Sequence, residues 1–119
     1  MIARYVVLES TIAQCIRRIG LWRGVRVGYI FEWDPEKAES NTRKYGVTFD
    51  EASTVFADPL ALLMPDPDHS LGEERYLVLG RSSQHRLLVV AFAERMPRTR
   101  LVSSRRAKQR ERRRYEEES

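Results

Sequence analysis

Short apolar stretches along the chain predict five β-strands. The longest, residues 86–94 (RLLVVAFAE), is apolar almost throughout, so we predict that it is central in a sheet. The strands after residue 60 follow one another through short turns, a pattern that favours an antiparallel meander. The five predicted strands are residues 30–33, 60–64, 75–80, 86–94 and 99–103.

Two helices are predicted between the first two of these strands. Asp34 can cap the free amides of the first helix, Pro35 suits its first position, and Gly46 suits its end. Thr48 and Glu51 form a capping box at the start of the second helix. The apolar positions of the second helix recur at helical spacing, and we expect them to pack on the sheet: Phe49, Ala52, Val55 and Phe56.

The chain is predicted to leave its last strand at Ser103 and Ser104, where a serine hydroxyl can cap a new helix. Seven of the ten residues from 105 to 114 are basic. The only apolar side chains that could bury this helix are Ala107 and Tyr115. We therefore expect a polyanion or an acidic protein to lie against it; the alternative is a solvated helix end.

These elements predict an α+β fold, an antiparallel sheet with two helices on one face and a basic C-terminal helix. Ala38 and Tyr45 are the expected inward positions of the first helix. Residues 30–119 are interpreted as one domain and residues 1–29 as an extension of uncertain role. Within the extension, residues 1–8 fit a short strand and residues 12–19 a helix. Its arginine-rich composition resembles a transit peptide, but we favour a dispensable extension.

The composition excludes several classes of protein. The chain of 119 residues has one cysteine, Cys15, so an intrachain disulfide is impossible and a reducing, cytoplasmic compartment fits. No apolar run approaches the length of about 20 residues that a membrane span requires. Asp66 and Asp68 lie in a proline-rich turn and are interpreted as turn formers. No metal site and no nucleotide cofactor are therefore expected.

Charge is distributed unevenly along the chain. The net charge is +4 over residues 1–30, −8 over residues 31–74 and +11 over residues 75–115, and three terminal glutamates follow. An alternative explanation of this pattern is that the acidic and basic segments of the chain neutralise each other in the fold. The excess of positive charge after residue 75 indicates a surface that faces a nucleic acid.

Four segments in this order resemble the BrnT-type toxins of bacterial type II toxin–antitoxin systems. They are FEWDPEKAESNTRKYGVTFDEA, VFADP, PDPDHSLGEERYLVLG and RLVSSRRAKQRERRRYEE, and together they span about residues 30–117. The resemblance implies a RelE-like fold and ribonuclease activity on RNA. It also implies a ribbon–helix–helix antitoxin that neutralises the toxin in a hetero-oligomer and binds operator DNA.

The chain departs from the family pattern at two positions. Tyr45 stands between Lys44 and Gly46 where the family usually has histidine, and His85 stands where it tends to have glycine. A phenol rarely ionises at neutral pH and is a poor substitute for a histidine that carries protons. A non-catalytic module that binds RNA or a partner protein therefore stays open as an alternative.

Metal-free cleavage of RNA uses the substrate's 2′-hydroxyl as nucleophile, so the protein must supply a base, an acid and a cation for the phosphorane. We predict Arg86 and Arg105 for the phosphate, because both match the family pattern and both lie at strand ends. Glu94 is the predicted carboxylate for proton transfer, although a plain salt bridge would explain it equally well. Lys44 is the further catalytic candidate, with Tyr45 and His85 competing. The predicted RNA-binding residues are Arg75, Arg81, Arg106 and Arg112.

Overall fold

The computed structural model describes residues 2–7, 28–66, 75–95 and 98–118, and six strands within them form one sheet. The order across the sheet is β1-β2-β6-β5-β4-β3, so the longest apolar segment, β5, lies in the interior as predicted. The strands are β1 Ile2–Val7, β2 Gly28–Trp33, β3 Leu62–Pro65, β4 Arg75–Arg81, β5 Leu87–Arg95 and β6 Arg98–Arg106. The helices are α1 Pro35–Tyr45, α2 Phe49–Thr54 with a 3₁₀ turn at Val55–Ala57, and α3 Gln109–Glu118.

The sheet is mixed, so the prediction of a wholly antiparallel sheet was wrong. β3 to β6 do form an antiparallel meander. However, β2 pairs with β6 in the parallel direction, from Ile30 opposite Arg98 to Glu32 opposite Arg100. A parallel pair needs a long crossover, which here includes both helices and three strands. β1 joins the outer edge of β2 as an antiparallel strand. The helix predicted over residues 12–19 lies outside the described residues.

The local signals for α1 and α2 are confirmed. The Asp34 carboxylate accepts the Glu36 amide at 2.9 Å, and Gly46 ends α1 in the left-handed conformation with φ of 70°. The Thr48 hydroxyl accepts the Glu51 amide at 3.1 Å. The second half of the predicted capping box was wrong, because the Glu51 side chain turns instead to the sheet, as described below. None of the three described helices is long and apolar enough to cross a bilayer.

Apolar clusters cover both faces of the sheet. α1 and α2 cover one face, where Phe49, Ala52, Val55 and Phe56 of the second helix region are buried against β5 and its neighbours, as predicted. Successive residues of a strand point to opposite faces, so Leu87 and Val89 lie on the other face. There they form a second cluster with Leu79 and Tyr115, which brings α3 against the sheet.

The C-terminal helix begins later than predicted. β6 continues through the two serines to Arg106, with Ser103 opposite Ala91 and Arg106 opposite Leu88. The ladder with β5 therefore overrides the local capping signal of the serines, and α3 starts only at Gln109. Tyr115, which is 4% exposed, anchors this helix.

Asn41 joins α1 to an open edge of β6. β2 pairs with β6 only as far as Arg100, so the edge beyond it needs other partners. The Asn41 amide donates to the Ser104 carbonyl at 2.8 Å and accepts the Ser104 N–H at 3.1 Å, as a neighbouring strand would. It also donates to the Val47 carbonyl at 3.0 Å.

Asn41 is thus the buried position of α1, in place of the two residues expected from the sequence. Ala38 is partly buried and packs on the core as expected, but Tyr45 is 40% exposed, so its predicted inward orientation was wrong.

Asn41→Ala is expected to destabilise the fold, because it removes the side-chain partner of the buried Ser104 N–H and C=O and one of the two donors to the Val47 carbonyl. The expected loss in free energy of unfolding is about 2 to 3 kcal/mol, measured by urea denaturation with an unchanged m-value. The control is Ser40→Ala, an exposed position on the same helix. Equal midpoints for the two variants would contradict this role of Asn41.

Candidate active site

Basic side chains meet at the end of the sheet where β5 begins and β6 ends. Arg86 immediately precedes β5, and Arg105 and Arg106 are the last residues of β6. Lys44 and Tyr45 are the last residues of α1. They lie beside these arginines, because Arg86 Nη2 donates to the carbonyl of the residue that follows them, Gly46, at 3.2 Å. The phenol of Tyr45 also lies within electrostatic range of Arg105. We call these five residues the arginine end: Lys44, Tyr45, Arg86, Arg105 and Arg106.

Arg86 is held by a buried carboxylate. The side chain of Glu51 is 2% exposed and accepts from Arg86 Nε at 2.8 Å, from Arg86 Nη2 and from the Ser82 hydroxyl at 2.7 Å. The hydrogen bonds from Arg86 lower the pKa of Glu51 despite its burial, and the pKa of Arg86 is raised in return. Glu51 is therefore an anion that orients the guanidinium. About a quarter of the Arg86 side chain, 26%, stays exposed.

Arg105 is held in the same manner from the other face of the sheet. Its Nη1 and Nη2 each donate to one oxygen of Glu111, both at 2.9 Å, in a two-pronged ion pair. The Glu111 carboxylate also accepts the Lys108 amide at 2.7 Å, near the start of α3. The hydrogen bonds from Arg105 lower the pKa of Glu111. This carboxylate, too, serves as a fixed partner and is a poor proton acceptor.

The remaining members of the arginine end are open to solvent. Arg106 is exposed, and its side chain makes no hydrogen bond or ion pair with any described residue. Its charge nevertheless contributes to the low pKa of Glu51, so it lies close to the Glu51–Arg86 pair. The ammonium group of Lys44 lies 5.2 Å from the centre of the Tyr45 ring. The arginine end thus combines two oriented guanidinium groups, one free cation and an exposed phenol.

Glu94 and Arg75 lie at the opposite end of the sheet. Glu94 accepts the Thr99 hydroxyl at 2.8 Å, and Arg75 is paired in register with Ala93. Seven residues of extended chain, about 23 Å, separate Glu94 from Leu87 at the start of β5. The structure therefore does not bring Glu94 and Arg75 into one site with Arg86.

Arg81 belongs to the anchor of α3. Its guanidinium lies over the Tyr115 ring at 5.6 Å, and its amide donates to Asp58 at 2.8 Å. The same Asp58 oxygen accepts the Tyr115 hydroxyl at 2.7 Å. The pKa of Tyr115 is raised to about 12, mainly by burial and secondly by this hydrogen bond. Of the other candidates, Arg112 is exposed on α3, and His85 lies in the β4–β5 turn with φ of 62°.

Glu51 and Glu111 are the site residues that sequence analysis missed. Glu51 was assigned to a local capping box, and no role was predicted for Glu111. No group of three potential metal ligands occurs among the described residues. Asp68, interpreted above as a turn former, and the neighbouring His69 lie outside the described residues.

A family model described as "Ribonuclease toxin, BrnT, of type II toxin-antitoxin system" matches residues 33–111. The chain belongs to the BrnT family of ribonuclease toxins. The matched segment contains all five residues of the arginine end and both carboxylates that hold it. Membership of this family implies an RNA substrate and an antitoxin partner.

The fold is similar to that of a BrnT crystal structure. The solved structure is the ribonuclease toxin BrnT of Brucella abortus, with a TM-score of 0.53 and 21% sequence identity. The similarity covers 66% of this chain and 96% of the Brucella chain. A comparison with curated proteins finds no significant match.

Glu51→Gln is expected to destabilise this BrnT-family protein at neutral pH by about 1.5 to 3 kcal/mol, the range for hydrogen bonds to charged groups. The folded-state pKa of Glu51 lies below the ordinary value of 4.5, so its carboxylate stabilises the fold above that pH. This contribution is lost as pH falls through the folded-state pKa. The difference between variant and parent should therefore shrink as the pH falls below about 4.5.

The measurement is urea denaturation at several pH values. Glu39→Gln, at an exposed position of α1, is the matched control and should stay within about 0.5 kcal/mol of the parent throughout. A Glu51→Gln deficit of the same size at neutral and acid pH would contradict the ionised pair.

Proposed function

We propose that this BrnT-family chain is a metal-independent endoribonuclease whose arginine end binds the scissile phosphate. The observation that carries the proposal is the convergence of Arg86, Arg105 and Arg106 at one end of the sheet, where two of them are oriented by carboxylates. A guanidinium fork matches two phosphate oxygens and keeps its charge at any physiological pH. The product of such a reaction is a 2′,3′-cyclic phosphate.

The arginines act on the charge that develops in the reaction. Attack of the 2′-hydroxyl on phosphorus adds negative charge to the phosphorane oxygens, and donors fixed before the reaction stabilise that charge without reorganisation. Arg106 supplies the free cation, whereas Arg86 and Arg105 supply guanidinium groups whose direction is already set. Cleavage of RNA in this manner would inhibit translation.

Proton transfer at this end falls to groups other than its two carboxylates. Glu51 and Glu111 have lowered pKa values, and their oxygens accept hydrogen bonds from arginine, so neither is suited to act as a general base. Lys44, Tyr45 and His85, which directly precedes Arg86, are the remaining candidates at this end. Glu94 was predicted from the sequence for proton transfer. It lies at the far end of β5, away from the arginines, and is given no part in proton transfer here.

A second candidate function is RNA binding without turnover. The observation that favours it is that both carboxylates at the arginine end are bonded to arginine, while Tyr45 stands where the family usually has histidine. This form of the protein would bind RNA tightly and release no product. It would still occupy an antitoxin.

We further propose that the antitoxin is of the ribbon–helix–helix type, acts in the cytoplasm and binds operator DNA as part of the complex. Support comes from the sequence resemblance and from the strongly basic second half of the chain, which suits an acidic partner. An adjacent reading frame that encodes such a protein would provide the first test.

Arg106→Ala is expected to lower the rate of RNA cleavage by roughly 100-fold, the usual effect of removing one electrostatic donor to a transition state. Its side chain has no partner among the described residues, so the variant should fold with parental stability. The assay uses purified protein and RNA in EDTA, with detection of cyclic-phosphate ends.

Lys37→Ala is the matched control. Lys37 is an exposed cation near the start of α1, about 12 Å along the helix from Tyr45. Its loss should leave the rate unchanged. Intact RNA in EDTA would overturn the nuclease proposal, and salt-dependent binding without products would establish the second candidate.

A further inference from the structure

The side of α3 that faces away from the sheet carries arginines that make few hydrogen bonds or ion pairs with the described part of the protein. The side chains of Arg110 and Arg113 are exposed and make no hydrogen bond or ion pair with a described residue. Arg114 lies 3.6 Å from Glu118, but both side chains are more than half exposed, and such pairs contribute little. An open surface depression of about 580 Å³ lies over this side. Among the described residues it is lined by Gln109, Arg110, Arg113, Arg114, Glu117 and Glu118, and we call it the α3 groove.

The charges along α3 are arranged against the helix dipole. The first half of the helix is mostly arginine, with one acid, Glu111, in the first turn; glutamates occupy its end, and its last turn has no basic residue. The start of a helix favours negative charge and its end favours positive charge. The arginines therefore do not stabilise the helix they stand on, and their placement needs another explanation.

The opposite side of α3 holds the helix in place. Tyr115 is bonded to Asp58, and Glu111 is bonded to Arg105 of the arginine end. Two consequences follow. The groove arginines can be replaced without removing an anchor of the helix, and the groove begins beside the proposed phosphate site.

We propose that the α3 groove binds the sugar-phosphate backbone of single-stranded RNA next to the cleaved phosphate, and that it adds affinity without contributing to turnover. The proposal rests on the proposed function of the arginine end. An RNA strand is favoured over a protein partner because the six described residues that line the groove are all polar or charged and three of them are arginines, whereas the centres of protein interfaces are enriched in aromatic residues. Arginine forks suit phosphate oxygens in any sequence.

The test measures binding of 2′-O-methyl RNA, which lacks the nucleophilic hydroxyl and stays intact whether or not the protein is a nuclease. Two lengths are compared, about 4 nucleotides to occupy the arginine end alone and about 16 to reach the groove as well. The variant replaces all three groove arginines, as Arg110→Ala, Arg113→Ala and Arg114→Ala. The control replaces the same three with lysine.

For the long RNA, the alanine variant should reduce the slope of log affinity against log salt by about 2, since each phosphate contact on a single strand contributes about 0.7. The lysine variant should keep most of the slope, and the short RNA should bind all forms equally. Cleavage of unmodified RNA at saturation should be unchanged. Because the alanine variant removes charges that oppose the dipole, its melting temperature should equal or exceed that of the parent.

An unchanged affinity and salt slope for the long RNA would overturn the proposal. So would tighter binding of polyglutamate than of RNA, which would assign the groove to an acidic protein. An active-site failure is distinguishable, because it abolishes cleavage by every form while leaving the difference in long-RNA binding intact.

Discussion

The ion pair between Glu51 and Arg86 is the constraint on which the rest of the structure depends. A carboxylate that is 2% exposed is costly to bury unless it is paired and fully hydrogen-bonded. Its partner lies 35 residues further along the chain, at the start of β5. Arg86 also donates to the Gly46 carbonyl, which follows α1. One guanidinium therefore joins both helices to the start of β5. The position of the arginine end follows from this burial.

The same physical device appears twice at this end of the sheet. Glu111 holds Arg105 as Glu51 holds Arg86, once from each face. A paired guanidinium attracts phosphate less strongly than a free one, but its direction is fixed before substrate arrives, which is the condition for electrostatic stabilisation of a transition state. Arg106 adds a positive charge, unpaired among the described residues, close to the Glu51–Arg86 pair. Orientation and net charge are thus supplied by different residues.

The elements that depend on neighbours in sequence could be predicted, and those that depend on distant partners could not. The caps of α1, the buried stripe of α2 and the interior position of β5 all follow from local pattern. The extension of β6 to Arg106 needed the ladder with β5, which outweighs two serines suited to capping. Glu51 could not be assigned for the same reason, because its partner lies 35 residues away. Glu111 pairs with an arginine only six residues earlier, but that arginine lies on β6, which local pattern ended too soon. In the structure Arg86 and Arg105 lie at one end of the sheet and Glu94 at the other, since β5 is long enough to separate them.

A double-mutant cycle on Glu51 and Arg86, with RNA cleavage by the folded protein as the readout, tests the central claim most directly. If Glu51 acts only by holding Arg86, then Glu51→Gln should slow cleavage in the parent and have almost no further effect once Arg86→Ala is present. Circular dichroism gives the folded fraction by which each rate is corrected. Additive losses in the double variant would contradict the account, because they would mean that the carboxylate and the guanidinium act on cleavage independently.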